Sequence, residues 1–146
     1  MVLRGWVFAF VLSGCVWAPQ SVTTGGALCI GEMSVFVTEP SQPVAVDANT
    51  PTTWTWSPRL CLSSSCSAKT LASASAGVTG NVVTVTTNAT WDEARGLVLQ
   101  CTDDCRRPAA QFEMPALAPG TYTLKHGGRE ATLTVPSMSP QCPLVD

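Results

Sequence analysis

Charged side chains are scarce in this chain. Only 12% of its 146 residues are Asp, Glu, Lys or Arg, and the formal net charge is −2; an ordinary soluble domain carries roughly 25% charged residues. A protein that binds nucleic acid needs clustered Lys and Arg to neutralise phosphates, and electrostatic attachment to anionic lipid needs a polybasic segment. The composition therefore argues against both kinds of partner.

Histidine is also nearly absent, since the chain contains only His126. One histidine is too few for a metal centre built on several histidines. It also leaves only one candidate base for a Ser–His or Cys–His catalytic pair. The chain contains neither a Gly-x-Ser-x-Gly nucleophile motif nor a glycine-rich phosphate loop. We therefore predict no enzymatic activity, no cofactor and no bound metal, and we expect His126 to be an exposed residue of a turn.

The sequence shows no apolar stripe at the 3.6-residue period of a helix, but it contains many short β-type segments. The clearest is 81–87, and Gly127-Gly128 predicts a tight hairpin turn. Residues 62–80, mostly Ser, Ala, Gly and Thr, are expected to be the least structured part, apart from 69–71. Residues 91–95 are expected to form one helical turn capped by Thr90. Seven to nine short strands predict an all-β antiparallel sandwich. The other predicted strands lie within 27–38, 44–46, 52–56, 97–101, 112–114, 121–125 and 129–135.

The first fifteen residues have the organisation of a secretory signal. Arg4 precedes a short apolar run, 6–12, which is followed by small residues and Cys15. The run is shorter than the roughly 20 residues that a membrane-spanning helix needs. We therefore expect this segment to be cleaved rather than kept as an anchor.

The motif Leu12-Ser13-Gly14-Cys15 resembles the lipobox of bacterial lipoprotein precursors. The resemblance implies that residues 1–14 are removed and that Cys15 is acylated, with palmitate as one expected acyl group. It also implies an outer-membrane location, because Val16 follows the cysteine where an aspartate would favour retention at the inner membrane. An ordinary signal peptide that happens to contain a cysteine is the alternative.

The remaining chain is long enough for one domain. Cleavage would change the formal net charge from −2 to −3, because Arg4 is the one charged residue that is lost. We expect a lipidated cysteine and flexible tether at 15–26, which ends in two glycines. The sandwich should span 27–136, and 137–146 should form a proline-rich C-terminal tail.

The seven cysteines support an exported protein. With Cys15 acylated, six remain, an even number that predicts three disulfides outside the cytoplasm. The spacings favour two local bridges, Cys61–Cys66 and Cys101–Cys105, and then Cys29–Cys142, although six cysteines allow fifteen pairings. Zinc is disfavoured because the gaps are wide for a ligand pair and one histidine is present. A catalytic cysteine is disfavoured because no thiol is left over.

Residues 117–124, LAPGTYTL, resemble the penultimate strand of bacterial immunoglobulin-like and fibronectin-like modules. The resemblance implies that the Tyr122 hydroxyl binds the backbone and fixes a corner of the sandwich. Leu124 stands where antibody-type domains carry a cysteine, so the inter-sheet disulfide of that family is not expected. The predicted fold is immunoglobulin-like in shape, with its own disulfides, and the fold alone indicates no function.

Four charged residues form the densest charged cluster: Asp103, Asp104, Arg106 and Arg107. A cross-linked loop that carries them would be a pre-organised docking patch for a protein partner. A solvated loop with self-neutralising charges is the alternative. Calcium is a weaker one, since it takes six or more oxygen ligands.

The tryptophans divide into core and surface candidates. Trp54 and Trp56 share one face of a predicted strand, which favours the core, although indoles on such a strand also stack on sugars. Trp91, beside two acidic residues, is the better candidate for partial exposure and partner binding. Trp17 follows the lipidated cysteine closely and suits a membrane interface.

These features together predict an outer-membrane lipoprotein that acts as a non-enzymatic adaptor of a cell-envelope assembly, such as an adhesion, motility or secretion apparatus. The alternative is a module that binds carbohydrate or another small ligand. The partners would be the membrane, through the lipid, and an envelope protein.

Overall fold

The computed structural model describes residues 16–31, 43–95 and 100–145. The predicted signal peptide, the acylation site Cys15 and parts of two predicted strands, 32–38 and 97–99, lie outside the described residues.

The described residues form ten β-strands and no helix. A five-stranded sheet has β6 at its centre, with β5 along one edge and both β1 and β8 along the other, and β9 pairs with β8. A three-stranded sheet has the order β2-β4-β7, and β3 pairs with β10. The strands are β1 (Val16–Val22), β2 (Ala27–Ile30), β3 (Val44–Val46), β4 (Thr52–Ser57), β5 (Ser67–Thr79), β6 (Val82–Arg95), β7 (Ala110–Met114), β8 (Gly120–His126), β9 (Arg129–Val135) and β10 (Ser137–Ser139).

The chain therefore folds as an all-β sandwich stapled by three disulfides, which confirms the predicted fold class. The described residues form one more strand than the largest predicted number, and the pairing of β6 with β8 is parallel rather than antiparallel.

Side chains of all three sheets contribute to the core, and the alternation of buried and exposed positions is clearest in β6. In β6 the inward positions are Val83, Val85, Thr87 and Ala89, and the residues between them are exposed. This two-residue alternation is the pattern of a half-buried strand. Buried aliphatic side chains each contribute about 1.5–3 kcal/mol relative to exposure. The largest fully buried side chains include Trp54, Trp56, Leu28, Ile30, Met114, Leu124 and Leu133.

The prediction for residues 62–80 is wrong over most of its length, because Ser67–Thr79 forms β5. Ala, Ser and Gly have low strand propensity, yet pairing and packing override propensity. Residues 71–79 pair in continuous register with β6, Ala72, Ala74 and Ala76 pack against the core, and Ser73 is exposed.

The predicted helical turn at 91–95 is also wrong. Residues 82–95 form one long strand, and Thr90 pairs with Ser21 of β1 on one side and with Leu71 of β5 on the other. Pairing on both sides fixes this segment as an extended strand.

The prediction of a flexible tether is wrong for residues 16–22, which form β1. All seven residues of β1 pair with β6, from Val16 opposite Arg95 to Val22 opposite Ala89. The absence of obvious periodicity misled the prediction, because an exposed edge strand needs no regular apolar alternation. Gly26, which follows the strand, has φ +86°, and a Cβ atom there would collide with the backbone of Ser57.

The C-terminal segment is part of the sandwich rather than a separate tail. β10 pairs with β3, and the Leu28 N–H donates to the Leu144 carbonyl at 2.8 Å. The Ile30 N–H donates to the Gln141 carbonyl at 2.6 Å. The domain boundary predicted at 136 is therefore too early, because Leu144 is buried against β2.

All six predicted disulfide cysteines are paired, but two pairings differ from the prediction. Cys29–Cys142 is confirmed, while Cys61 bonds to Cys105 and Cys66 bonds to Cys101. The short spacings within 61–66 and 101–105 favoured local bridges. The fold instead places these two segments side by side, so the disulfides form between them.

Two local predictions near the end of the chain are confirmed. The Tyr122 hydroxyl donates to the Ala118 carbonyl at 2.9 Å, which is the predicted corner contact. Gly127 and Gly128, with φ values of 56° and 81°, form the turn between β8 and β9. A tight turn of this kind needs positive φ, which glycine adopts without steric cost.

Candidate functional site

Two loops, 61–66 and 101–107, are joined by disulfides and lie largely at the surface of the described structure; we call them the loop pair. The crossed disulfides Cys61–Cys105 and Cys66–Cys101 join one loop to the other. Leu62 and Arg106 exchange backbone hydrogen bonds of 3.0 and 2.9 Å. The loop pair is thus a covalently fixed surface that loses little conformational freedom when a partner docks.

Asp104 organises the loop pair from within. Its carboxylate accepts a hydrogen bond from the Thr102 hydroxyl and from the Ser64 N–H, the latter at 3.2 Å to Oδ1 and 3.3 Å to Oδ2. The Thr102 N–H in turn donates to the Ser65 hydroxyl at 2.9 Å. The hydrogen bond from the Thr102 side chain, and after it the bonds from Ser64, lower the pKa of Asp104 below its ordinary value of 3.8.

The predicted docking cluster therefore divides into two parts. The Asp104 carboxylate accepts hydrogen bonds from within the loop pair. Asp103, Arg106 and Arg107 are exposed, and within the described part of the chain their side chains form no ion pair or hydrogen bond. Those three side chains therefore remain available at the surface of the loop pair.

Trp91 lies in a groove at the junction of β1, β5 and β6. The groove encloses ≈ 580 Å³, and Trp91 is half-buried. Lys69 and Asp92 form an ion pair of 3.0 Å on its rim, while Leu71 is 70% exposed. The complete lining is Pro19, Gln20, Ser21, Lys69, Leu71, Thr90, Trp91 and Asp92.

The indole N–H of Trp91 is buried and has no hydrogen-bond partner in the described structure. A buried donor without a partner carries an energetic cost. The groove thus places an apolar ring beside hydroxyl, amide and ionic groups. Trp54 and Trp56 are not part of this surface, since both are fully buried, which confirms their predicted core position.

His126 is not the exposed turn residue that the sequence predicts. It is the last residue of β8 and is 2% exposed. Its Nε2 lies 2.9 Å from the Thr87 hydroxyl, and the Arg129 guanidinium donates to its Nδ1 at 3.3 Å. The Trp56 ring meets the imidazole edge-on, with centroids 6.2 Å apart.

The donors of this network fix the histidine tautomer. The Thr87 hydroxyl donates to the Thr23 carbonyl at 2.9 Å, so His126 must donate its Nε2–H to the Thr87 oxygen. Arg129 also donates to the Gly26 carbonyl at 3.0 Å, and Trp56 Nε1 donates to the Gly25 carbonyl at 2.9 Å. The network therefore anchors the 23–26 turn to the core and to the β8–β9 hairpin.

The sequence reasoning missed this network, although one signal was available. Tyr122 and Leu124 occupy inward positions of β8, and the same alternation places His126 inward. The prediction that His126 is exposed relied on the neighbouring Gly-Gly turn and did not use the alternation of inward and outward positions along β8.

Residues 16–31, 43–95 and 100–145 contain no group of three or more His, Cys, Asp or Glu side chains placed to hold a metal ion. The same residues include no helix long and apolar enough to cross a membrane. No protein-family model, no curated protein and no solved structure matches this chain.

Proposed function

We propose that the protein is a bacterial lipoprotein, acylated at Cys15, whose domain acts as a non-enzymatic adaptor of the cell envelope. The observation that carries this proposal is the state of the cysteines. All six that follow Cys15 are paired in disulfides, so Cys15 is the one thiol left for another fate. Disulfides of this density fit an oxidising compartment, which is where the lipobox-like leader would deliver the chain.

Acylation is tested by metabolic labelling of producing bacteria with an alkyne analogue of palmitate. The full-length chain should incorporate label and fractionate with the outer membrane, and Cys15→Ser should abolish both. The double variant Cys61→Ser/Cys105→Ser is the matched control, because it alters cysteines that the leader does not use and should keep its label. An unlabelled wild-type chain would contradict the anchor.

The adaptor role is supported by the loop pair, which offers a rigid, exposed surface with Asp103, Arg106 and Arg107 available. Anchoring raises the effective concentration of such a surface near membrane partners. A photo-crosslinking amino acid at position 107 should yield one discrete heavier adduct in living cells. The same probe at the exposed Thr132 of β9 is the control. Identical adduct patterns at both positions, or none at 107, would argue against a docking surface here.

Carbohydrate binding is a second candidate, favoured by the groove around Trp91. The half-buried indole is bordered by Lys69, Asp92 and Gln20, groups that hydrogen-bond to sugar hydroxyls. A bound glycan should shift tryptophan emission of the wild type, and Trp91→Ala should remove the shift. Unchanged emission across a glycan panel would eliminate this candidate.

A further inference from the structure

The sheet begins immediately after the proposed lipid anchor. Only one peptide bond separates Cys15 from Val16, and adjacent Cα atoms lie about 3.8 Å apart. Val16 is already paired with Arg95, and every residue from 16 to 22 has a partner on β6. No slack chain therefore lies between an acyl group on Cys15 and the five-stranded sheet.

Two apolar side chains are exposed at this start of β1. Val16 is 66% exposed and Trp17 is 46% exposed. Both rank among the few large apolar side chains that the described surface leaves to solvent. Trp side chains favour the interface between hydrocarbon and water, because the ring is apolar and the indole N–H still finds polar partners there.

The neighbouring groups suit a phospholipid surface. Arg95, directly opposite Val16, is exposed, and a guanidinium there would pair with head-group phosphates. The loop pair lies at the same end of the sandwich, because the Ala94 N–H donates to the Cys66 carbonyl at 2.9 Å. Glu93 and Asp103 are exposed nearby, so the apolar pair and the acyl chains, rather than net charge, would carry the contact.

We propose that this end of the sandwich, formed by Val16, Trp17 and Arg95, rests on the phospholipid surface with the Trp17 indole among the head groups. The inference depends on the proposed acylation of Cys15. The domain is then held against the membrane in one orientation instead of standing clear of it. The loop pair lies at the membrane surface, and a partner that binds it is itself located at the membrane.

Depth-dependent quenching tests the proposal on the acylated full-length protein. The protein is reconstituted in phosphatidylethanolamine–phosphatidylglycerol vesicles that carry bromine on the acyl carbons nearest the head groups. Trp54 and Trp56 are fully buried, and Trp91 is half-buried opposite Gln20, farther along β1 from the proposed anchor. Most of the quenching of the wild type should therefore come from Trp17, and Trp17→Phe should lose most of it. Equal quenching of the wild type and Trp17→Phe would overturn the proposal.

A second variant separates rigid attachment from mere proximity. A ten-residue Gly-Ser insertion after Val16 leaves the motif around Cys15 intact, so acyl labelling should persist while quenching falls to the level of Trp17→Phe. Full quenching in the insertion variant would show that the strand does not hold Trp17 at the membrane. A wild-type chain without acyl label would overturn the proposed anchor itself, whereas a labelled chain with unquenched Trp17 would overturn this inference alone.

Discussion

At the scale of single residues, burial decides roles that residue type alone leaves open. His126 occupies a hairpin end, where a polar side chain is usually exposed, yet it is 2% exposed and bonded to Thr87 and Arg129. Asp104 belongs to a charged cluster that suggests recognition, yet its carboxylate holds two loops together. In both cases one partner comes from a distant part of the chain, Thr87 for His126 and Ser64 for Asp104, and sequence patterns do not locate such a partner.

Removal of the imidazole should destabilise the fold. His126→Ala leaves the buried Thr87 oxygen without its donor, and an unsatisfied buried polar group costs about 1–3 kcal/mol. Urea unfolding should show a lower midpoint with an unchanged slope. Thr132→Ala is the exposed control and should stay within about 0.5 kcal/mol of the wild type. Equal stability of both variants would show that the network contributes nothing.

Asp104 should make stability depend on pH. Its pKa is lowered in the folded protein, so its contribution is complete above its ordinary value of 3.8 and is lost as pH falls through the folded value. Asp104→Asn should be less stable than the wild type at pH 7, and the difference should shrink as pH falls below 3.8. Asp103→Asn, which alters an exposed carboxylate without these bonds, is the control and should stay within about 0.5 kcal/mol of the wild type at pH 7. A constant difference across this range would contradict the assignment.

At the scale of elements, alternation predicted strands well where β-branched or large apolar residues marked it. Residues 82–87, 112–114, 121–125 and 129–135 are strands as predicted, and Gly127-Gly128 is the turn. β5 was missed because its alternation is between Ala and Ser, whose hydrophobicity contrast is weak. The disulfide pairing was missed for a different reason, since contacts between distant loops depend on sheet topology rather than on spacing.

The two faces of β5 offer a test of that element. Ala74→Asp places a carboxylate on the face that packs against the core, where burial of a polar group costs about 1–3 kcal/mol. Ser73→Asp adds the same charge one residue earlier on the exposed face and should change stability by less than about 0.5 kcal/mol. Thermal unfolding of the two variants gives the comparison. Equal stability of the two variants would contradict the assignment of this segment as a strand with one face against the core.

At the scale of the whole molecule, the disulfides and the N-terminal strand join the ends of the chain to its centre. Cys29–Cys142 spans 113 residues, and two crossed bridges fix the loop pair. β1 lies along β6, and its first residue, Val16, is already paired with Arg95 in the sheet. The sequence predicted which six cysteines form disulfides, but two of the three predicted pairings are wrong, and it predicted a tether where the structure has a strand.

The most direct test is the intact mass of the protein extracted from membranes, before and after reduction and alkylation. The account predicts a chain that begins at Cys15 with added acyl mass, takes up no alkyl group before reduction and takes up six after it. A full-length chain that begins at Met1, carries no acyl group and alkylates without reduction would contradict it.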